Sequence, residues 1–437
     1  DKASSGQVSL DVDSNSDPFV AYGIVNPNEM DMSRKTSIYV RSWDGNTWAG
    51  IGASQPVTDN GQEFILRIAS NDTPYLAYLT KDMGGQVSFP QVLKFDGQNW
   101  VQAGTGLDLS GFGAAAARLQ MENDENGVLY LSLSLEGQKP DVYMLDNGTW
   151  ELQGSPDFNL SGTPNFAIED GIVYLTGITD TSGPDAWVSV RKYDGTTWSV
   201  IGAPQLVNFA FDHSLVALSN NRLFLAVRVP DCGTPPHCNG YAAKVYEFSG
   251  AQWDEFGNFS EAGGFDVLHV EIRESPFEEL VLSFTSGSAG MKEPSVFTFD
   301  GTTWTAAVTS PYQNELVSGH TIAIGSDNTL FTAFHDGNRA NNVTVKTFGL
   351  GGPAPDPMNQ TTSVLEGTSI AITLKATDAE GDSLIFSVSG GADQAAFEIG
   401  SSTGVLSFTT PPDFGNPIDL GDTAGNNTYV VEVTADD

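Results

Sequence analysis

The sequence predicts an all-β protein, with a seven-bladed β-propeller over residues 1–350 and a smaller β domain over residues 358–437. Three observations support this prediction. A tryptophan motif recurs about every 50 residues, an apolar strand-like run recurs with it, and helical periodicity is almost absent. Residues 351–357, which are rich in Gly and Pro, form the expected linker between the two domains.

The tryptophan motif consists of an aromatic or apolar residue, a polar turn that is usually Asp-Gly, and a tryptophan. Successive tryptophans of the motif lie 52, 50, 48, 55 and 51 residues apart. The Asp-Gly pair predicts a tight hairpin turn because Gly tolerates a positive φ. The six copies are Trp43–Trp48, Phe95–Trp100, Leu145–Trp150, Tyr193–Trp198, Phe248–Trp253 and Phe299–Trp304.

An apolar run follows a polar turn in each period and occurs seven times, which sets the predicted number of blades. Each period is expected to hold four short antiparallel strands, and seven such units stack around a channel in a propeller. The last unit has no tryptophan motif, so it holds three strands or is completed by N-terminal residues. The runs are Pro18–Tyr22, Pro74–Tyr78, Leu129–Leu133, Val173–Thr176, Leu223–Val227, Leu280–Phe284 and Leu330–Phe334.

The chain is strongly acidic, with a net charge of −36 from 19 basic and 55 acidic residues. Such a surface has no basic stripe for a phosphate backbone, so nucleic acid is excluded as an expected partner. Salt and divalent cations outside the cell would screen this charge, although acidity also simply confers solubility. No run of about 18 apolar residues is present, and no membrane-spanning segment is expected.

The two cysteines, Cys232 and Cys238, lie in one Pro- and Gly-rich loop. Their spacing favours a small local disulfide, which is typical of an oxidising compartment. The alternative is a metal site shared with His237, but zinc requires four ligands and the chain has no other cysteine.

The repeats resemble those of Kelch-like propellers in large secreted or surface-anchored bacterial proteins. Residues after the linker resemble the cadherin-like modules of bacterial adhesins, and this resemblance implies an Ig-like β-sandwich of about seven strands. It also implies neighbouring cadherin-like domains of the same polypeptide as partners. The matching segments are Val364–Gly367, Ala376–Asp382, Leu384–Asp393, Phe397–Ile399, Thr403–Phe408, Pro412–Phe414 and Tyr429–Asp436.

Cadherin-like modules bind calcium through carboxylate oxygens, so the resemblance implies calcium as a cofactor. Gly415 stands where the family has an acid near Asp413, which weakens that part of the site. The alternative is that these acids are solvated turn residues. The residues that match the family's ligands are Glu366, Asp378, Glu380, Asp382 and Asp413.

Catalytic motifs are not found. The five histidines have no metal-ligand spacing, and neither a nucleophile elbow nor a phosphate loop is present. The nine arginines are scattered and often lie in predicted strands, so no arginine cluster for an anionic sugar is expected. The prediction is therefore that the chain is not an enzyme, although chance pairs of carboxylates leave glycan chemistry open.

The preferred functional hypothesis is a ligand-binding head, carried on a stalk, in a secreted or cell-surface bacterial adhesin. Long irregular loops are predicted on one face of the propeller, and this face is expected to recognise a glycan or a protein. Trp187 and Phe211 are candidates for stacking on sugars. The alternatives are a polysaccharide-active enzyme with its site in the propeller channel, and a structural spacer. The loops include Gly23–Thr36, Thr80–Ser88, Pro230–Tyr241 and Thr285–Glu293.

Overall fold

The computed structural model divides the chain into two compact units, Asp1–Phe348 and Gly349–Asp437. None of the described segments forms a long apolar helix of the kind that crosses a membrane. The structure describes residues 7–25, 36–53, 55–81, 87–107, 117–124, 126–135, 137–160, 163–180, 186–203, 206–208, 210, 212–218, 222–230, 240–259, 267–287, 293–299, 301–307, 317–339, 342–350, 364, 366–374, 385–420 and 424–436.

Unit 1 is built from antiparallel sheets whose strands follow one another along the chain. The first sheet contains β1 (Val8–Val12), β2 (Pro18–Val25), β3 (Thr36–Trp43), β4 (Trp48–Gly50), β5 (Thr58–Ile68), β6 (Pro74–Lys81), β7 (Val87–Phe95) and β8 (Trp100–Gln102). The second contains β9 (Ala117–Asn123), β10 (Leu129–Leu135), β11 (Asp141–Asp146) and β12 (Thr149–Gly154). The third contains β13 (Asn165–Glu169), β14 (Ile172–Asp180), β15 (Ala186–Tyr193), β16 (Trp198–Val200) and β17 (Val207–Asn208).

Three further sheets complete unit 1. The fourth contains β18 (Asp212–Ala217), β19 (Leu223–Pro230), β20 (Tyr241–Phe248) and β21 (Trp253–Phe259). The fifth contains β22 (Leu268–Glu274), β23 (Leu280–Ser286), β24 (Glu293–Phe299) and β25 (Trp304–Ala306). The sixth contains β26 (Val317–Ile324), β27 (Thr329–Asp336) and β28 (Asn342–Gly349), with a 3₁₀ turn at Gly337–Arg339.

The Asp-Gly turns close the hairpins that the tryptophan motif predicts. In the first of them the Asp44 carboxylate accepts hydrogen bonds from the backbone N–H groups of Asn46 and Thr47, at 2.9 and 2.7 Å. Gly45 has a φ of +87°, which an L side chain rarely adopts. Asp96 and Asp194 make the same pair of bonds in their own turns. The repeated aspartate is therefore a structural acceptor.

The motif tryptophans join each sheet or repeat to the one before it. In four of the six motifs the indole N–H donates to a backbone carbonyl of the preceding repeat, about 50 residues earlier, so the large ring is held in the space between repeats. The bonds run from Trp100 to Ile51 at 3.1 Å, Trp150 to Ala103 at 2.7 Å, Trp198 to Gln153 at 3.0 Å and Trp253 to Ile201 at 3.3 Å.

The propeller arrangement is confirmed, but the prediction of seven separate blades is wrong. Among the described residues, unit 1 has five sheets of four or more strands and one sheet of three. Pairing of β3 with β5, at Thr36 with Gly61 and Ile38 with Thr58, joins the first two repeats into one eight-stranded sheet. The last repeat has no fourth strand within the described range, so it remains smaller than the others.

Unit 2 contains a three-stranded and a two-stranded sheet in its described part, not a clear cadherin-like sandwich of about seven strands. Phe397, Phe408 and Tyr429 form an aromatic core, with ring centroids 4.5 to 6.2 Å apart. A second 3₁₀ turn lies at Gln394–Ala396. The strands are β29 (Ile370–Thr373), β30 (Ile385–Gly390), β31 (Phe397–Ile399), β32 (Val405–Phe408) and β33 (Glu432–Asp436).

Candidate active site in the propeller channel

The first strands of the repeats form a closed ring around the centre of unit 1. In the order β1, β5, β9, β13, β18, β22 and β26, each strand packs against the next, and β26 packs against β1. Strands arranged in this way enclose the central channel of a propeller. Side chains on the first strands therefore determine the chemistry of the channel.

Polar side chains connect neighbouring first strands, which do not pair through their backbones. Asp11 on β1 accepts a 2.7 Å hydrogen bond from the backbone N–H of Ile68 on β5. Asp212 on β18 accepts one of 2.9 Å from the N–H of Val270 on β22. Ser214 forms a similar bond of 3.1 Å with the N–H of Ile272. These bonds satisfy buried N–H groups that would otherwise lack partners.

A network of ion pairs begins at Arg67 on β5. Its guanidinium forms two hydrogen bonds with the Glu122 carboxylate on β9, at 2.9 and 3.0 Å. The Arg67 side chain is 7% exposed and that of Glu122 is 17% exposed. A bidentate arginine–carboxylate pair in this partly dry environment fixes both side chains strongly.

The network continues across the channel to Arg273 on β22. Arg273 lies 3.6 Å from a Glu122 oxygen and 2.7 Å from an oxygen of Glu271, which is also on β22. The strands β9 and β22 are not neighbours in the ring, since two first strands separate them on one side and three on the other. The Arg273–Glu122 contact therefore spans the channel. We call Asp11, Arg67, Glu122, Glu271 and Arg273 the channel floor.

The electrostatics of the floor follow from its burial and its arginines. Burial acts to raise the pKa of Glu122, but Arg67 and Arg273 outweigh that effect and the pKa is lowered. Burial acts to lower the pKa of Arg273, but Glu271 and Glu122 outweigh it and the pKa is raised. Burial raises the pKa of Asp11, which Arg67 offsets only in part. Glu122 and Arg273 are thus held in their charged forms.

Asp212 has a different environment from that of Glu122. Burial raises its pKa to about 6, although N–H groups of Val270 and His213 donate to the carboxylate. Arg228 lowers this pKa, and Glu271 raises it further by charge repulsion. Asp212 is therefore partly protonated near neutral pH and lies close enough to Glu271 to sense its charge.

A second polar layer lies four residues before the floor. Arg118 on β9 is 3.6 Å from a Glu63 oxygen on β5, and the Thr163 hydroxyl donates to the same oxygen at 3.4 Å. Glu63 and His269 have positive φ values of 35° and 54° and lie at β-bulges in β5 and β22. We call Glu63, Arg118, Thr163 and His269 the channel mouth.

The mouth is at the end of the channel where the first strands begin. In the antiparallel order of each sheet, the second strands end and the third strands begin at this same end. Residues 63, 118 and 269 precede floor residues 67, 122 and 273 by four positions in each strand. Bulges redirect side chains and are frequent next to functional sites, so the mouth is a candidate contact region for a ligand.

The residues predicted to bind calcium lie mainly outside the described part of the structure. Asp378, Glu380 and Asp382 are outside it, whereas Glu366 and Asp413 are exposed. Gly367 N–H donates to the Pro412 carbonyl at 3.0 Å, so the chain next to Glu366 lies beside Asp413. Within the described ranges, no three His, Cys, Asp or Glu residues are grouped to hold a metal ion. Calcium binding stays a prediction.

Other predicted sites are also untested. Cys232, His237 and Cys238 lie outside the described residues, as do Phe211 and most of the variable loops. Trp187 is half-buried on β15, where it pairs with Asn208 on β17. The disulfide and the sugar-stacking role of Phe211 therefore remain predictions.

Sequence reasoning missed the channel residues. It predicted scattered arginines without a cluster, but Arg67, Arg118 and Arg273 all lie on first strands that face one channel. One usable signal was present. Each of three first strands carries two polar residues four positions apart, Glu63 with Arg67, Arg118 with Glu122, and His269 with Arg273.

No protein family and no curated protein matches the chain. The Kelch-like and cadherin-like resemblances are therefore not confirmed. Among solved structures, the β-propeller domain of the Trilobed protease from Pyrococcus furiosus is 13% identical, with a TM-score of 0.50. The match covers 82% of this chain and 98% of that one. This likeness supports the propeller fold and nothing more specific.

Two enzymes described as acting on glycans also resemble the chain. An ulvan lyase from a new polysaccharide lyase family is 12% identical, with a TM-score of 0.47, and the match covers 78% of this chain and 91% of that one. An α-L-arabinofuranosidase from Fusarium graminearum is 14% identical, with a TM-score of 0.43 and coverage of 67% and 93%. At such identities the likeness concerns the fold alone.

The descriptions of the similar structures contradict the prediction that this chain is not an enzyme. Besides the lyase and the arabinofuranosidase, they include two sialidases and a glycoside hydrolase, together with one lectin. The prediction that the chain is not an enzyme is therefore wrong on this comparison. The activities belong to those proteins, so the function of this chain has to be argued from its own channel.

Proposed function

We propose that the chain is a polysaccharide-active enzyme whose reaction takes place in the channel, between the mouth and the floor. The observation that carries the proposal is the presence of two carboxyl groups in unlike environments on the neighbouring first strands β18 and β22. Asp212 has a pKa of about 6, whereas Glu271 is in an ion pair with Arg273 at 2.7 Å. Two carboxyl groups whose environments differ in this way are typical of acid-assisted cleavage of glycosidic bonds.

Asp212 is the proposed proton donor. With a pKa of about 6 it is protonated in roughly one molecule in ten at pH 7 and remains a stronger acid than water. Its proton passes to the oxygen of the departing sugar as the glycosidic bond breaks. Water then supplies a hydroxyl group to the anomeric carbon and returns a proton to Asp212, so the net reaction is hydrolysis.

Glu271 is proposed to stabilise the positive charge that develops on the sugar ring during cleavage. Its two oxygens are fixed by Arg273 and by the backbone N–H of Ile322, which donates at 3.0 Å. A carboxylate that is already oriented by neighbouring groups needs little reorganisation in the transition state. The polar groups of Glu63, Arg118 and Thr163 at the mouth supply donors and acceptors for sugar hydroxyls.

The extracellular setting remains part of the proposal. A net charge of −36 is compatible with a salty medium and favours uncharged over polyanionic glycans by simple repulsion. Adhesion through the mouth and its surrounding loops would require binding without cleavage. The two hypotheses therefore differ in whether a bound glycan is turned over.

The test is the release of reducing sugars from a panel of neutral and acidic polysaccharides by the purified chain. We expect turnover of at least one glycan, and loss of at least 100-fold in rate in the Asp212→Asn variant. Ser214→Ala is the matched control, because Ser214 links the same two strands through the N–H of Ile272 but has no acidic proton. Binding without turnover by the folded protein, or full activity of Asp212→Asn, would contradict the proposal.

A further inference from the structure

We infer that the channel accepts the end of a glycan chain and not its middle, so that the enzyme releases short products from chain ends. This inference rests on the proposed function and adds the mode of attack to it. The carrying observation is that the floor closes the channel, because Glu122 on one wall lies 3.6 Å from Arg273 on the opposite wall. A sugar ring cannot pass between two side chains that are in contact at this distance.

The floor is a fixed barrier. Glu122 is held by Arg67 through two hydrogen bonds and contacts Arg273 as well, while Arg273 is also bound to Glu271. Opening the floor would separate Glu122 and Glu271, whose side chains are 17% and 15% exposed, from Arg273, which is 32% exposed. Such a change is unfavourable unless new partners replace the old ones. A polymer therefore has no route through the channel to the other face.

The space above the floor is shallow. Mouth and floor residues are four positions apart along extended strands, which corresponds to a depth of roughly 13 Å at 3.3 Å per residue. Asp212 lies within this depth, since its carboxylate binds the N–H of Val270, one residue after His269 of the mouth and three before Arg273 of the floor. A glycosidic bond that reaches Asp212 must therefore join two of the last few sugars of a glycan chain that enters from the mouth.

An internal segment of a polymer does not meet this requirement. Cleavage in the middle needs chain on both sides of the broken bond, and both arms would have to leave through the same mouth. A straight chain lying across the mouth would instead remain above Asp212. Because the floor is closed and Asp212 lies below the mouth, only the end of a glycan chain reaches the proposed proton donor.

The experiment follows the products of whichever polysaccharide the wild-type chain degrades, by size-exclusion chromatography of the polymer and analysis of the small sugars. We expect short products of uniform length from the first time points, with the remaining polymer almost unchanged in length. Early fragmentation into pieces of many lengths would overturn the inference while leaving the proposed function intact.

A second arm uses the same polysaccharide after chemical modification of its ends. In one sample the reducing ends are reduced, and in another the non-reducing ends are chemically capped. Both treatments leave the internal glycosidic bonds unchanged. We expect one of the two treatments to reduce the rate at least tenfold. Chain-end attack would be overturned if both modified polymers were degraded at the same rate as the unmodified polymer. Absence of any product from every unmodified polysaccharide would overturn the proposed function, and this inference with it.

Discussion

The α-carbon of Gly202 lies so close to the indole of Trp253 that a methyl group there would be 2.4 Å from the Trp253 Cδ1 atom. Gly202 also has a φ of +68°, and the Trp253 N–H donates to the carbonyl of the residue before it, Ile201, at 3.3 Å. Gly52 and Gly104 have the same relationship with Trp100 and Trp150. In these three repeats, the glycine four residues after one motif tryptophan therefore lies against the indole of the next motif tryptophan.

This relationship predicts that Gly202→Ala destabilises the propeller by about 3 kcal/mol, from an unfavourable φ and overpacking together. The measurement is the free energy of unfolding in urea. Gly195→Ala is the matched control, because Gly195 has a φ of +91° but nothing lies within 4 Å of its added methyl group. The control should lose only about 1 kcal/mol. Equal losses in the two variants would contradict the steric role of Trp253.

The indole hydrogen bonds between repeats give a second prediction. Trp150 is 3% exposed and its N–H lies 2.7 Å from the Ala103 carbonyl. Trp150→Phe keeps an aromatic ring, but it removes the donor to the buried Ala103 carbonyl and creates a small cavity. We therefore expect the free energy of unfolding to fall by about 2 kcal/mol. Trp198→Phe, at a half-buried site with a 3.0 Å bond to Gln153, should cost less. Thermal unfolding of both variants provides the comparison.

The floor predicts a strong effect of charge removal. Glu122→Gln removes the negative charge that pairs with Arg67, whose side chain is 7% exposed, and leaves that arginine without its main counter-ion. We expect a loss of about 3 kcal/mol in the free energy of unfolding. Lys139→Ala breaks the exposed Lys139–Asp157 pair, which is 2.7 Å long, and should change stability little. A Glu122→Gln protein as stable as the Lys139 variant would show that the floor is loosely held.

Two buried histidines predict acid sensitivity. Burial lowers the pKa of His213 to about 4 and that of His320 to about 3, where His269 also contributes by charge repulsion. Because the unfolded chain takes up these protons near pH 6.5 and the folded chain does not, stability is complete above pH 6.5. It decreases as the pH falls toward 4, by about 2 kcal/mol per histidine at pH 5.

Asp212 has the opposite effect on stability. Because its pKa is raised to about 6, the folded chain takes up this proton at a higher pH than the unfolded chain, and stability rises as the pH falls. The histidine effect is therefore isolated with the His320→Gln variant. Between pH 7 and pH 5 this variant should lose less stability than the wild type. Parallel pH profiles for the two proteins would show that His320 is readily protonated in the folded state.

Local features of the fold were predictable from the sequence, because they depend on residues close together in the chain. The Asp-Gly turn at Asp44 and the position of Trp100 at the start of a strand follow from the motif itself. The pairing of β3 with β5 does not. It depends on Ile38 packing over Gly61, where an added methyl group would meet the Ile38 side chain at 2.2 Å. No sequence motif predicts this packing of Ile38 on Gly61.

The polar cluster in the channel could not be predicted from the sequence for a related reason. Arg67, Glu122 and Arg273 are separated by 55 and 151 residues, and only closure of the ring brings their side chains together. Along the chain each looks like an ordinary polar residue in a strand. The raised pKa of Asp212 likewise depends on burial between β18 and β22, which strand alternation alone cannot specify.

The most direct test of the proposed channel chemistry is the pH dependence of sugar release by the wild-type chain, measured beside Ser214→Ala and Asp212→Asn. If Asp212 donates the proton, kcat/KM should fall tenfold per pH unit above about pH 6 in the wild type and the Ser214 variant, following its pKa of about 6. The Asp212 variant should show a residual rate without that decline. An unchanged decline in Asp212→Asn would show that another group is the acid.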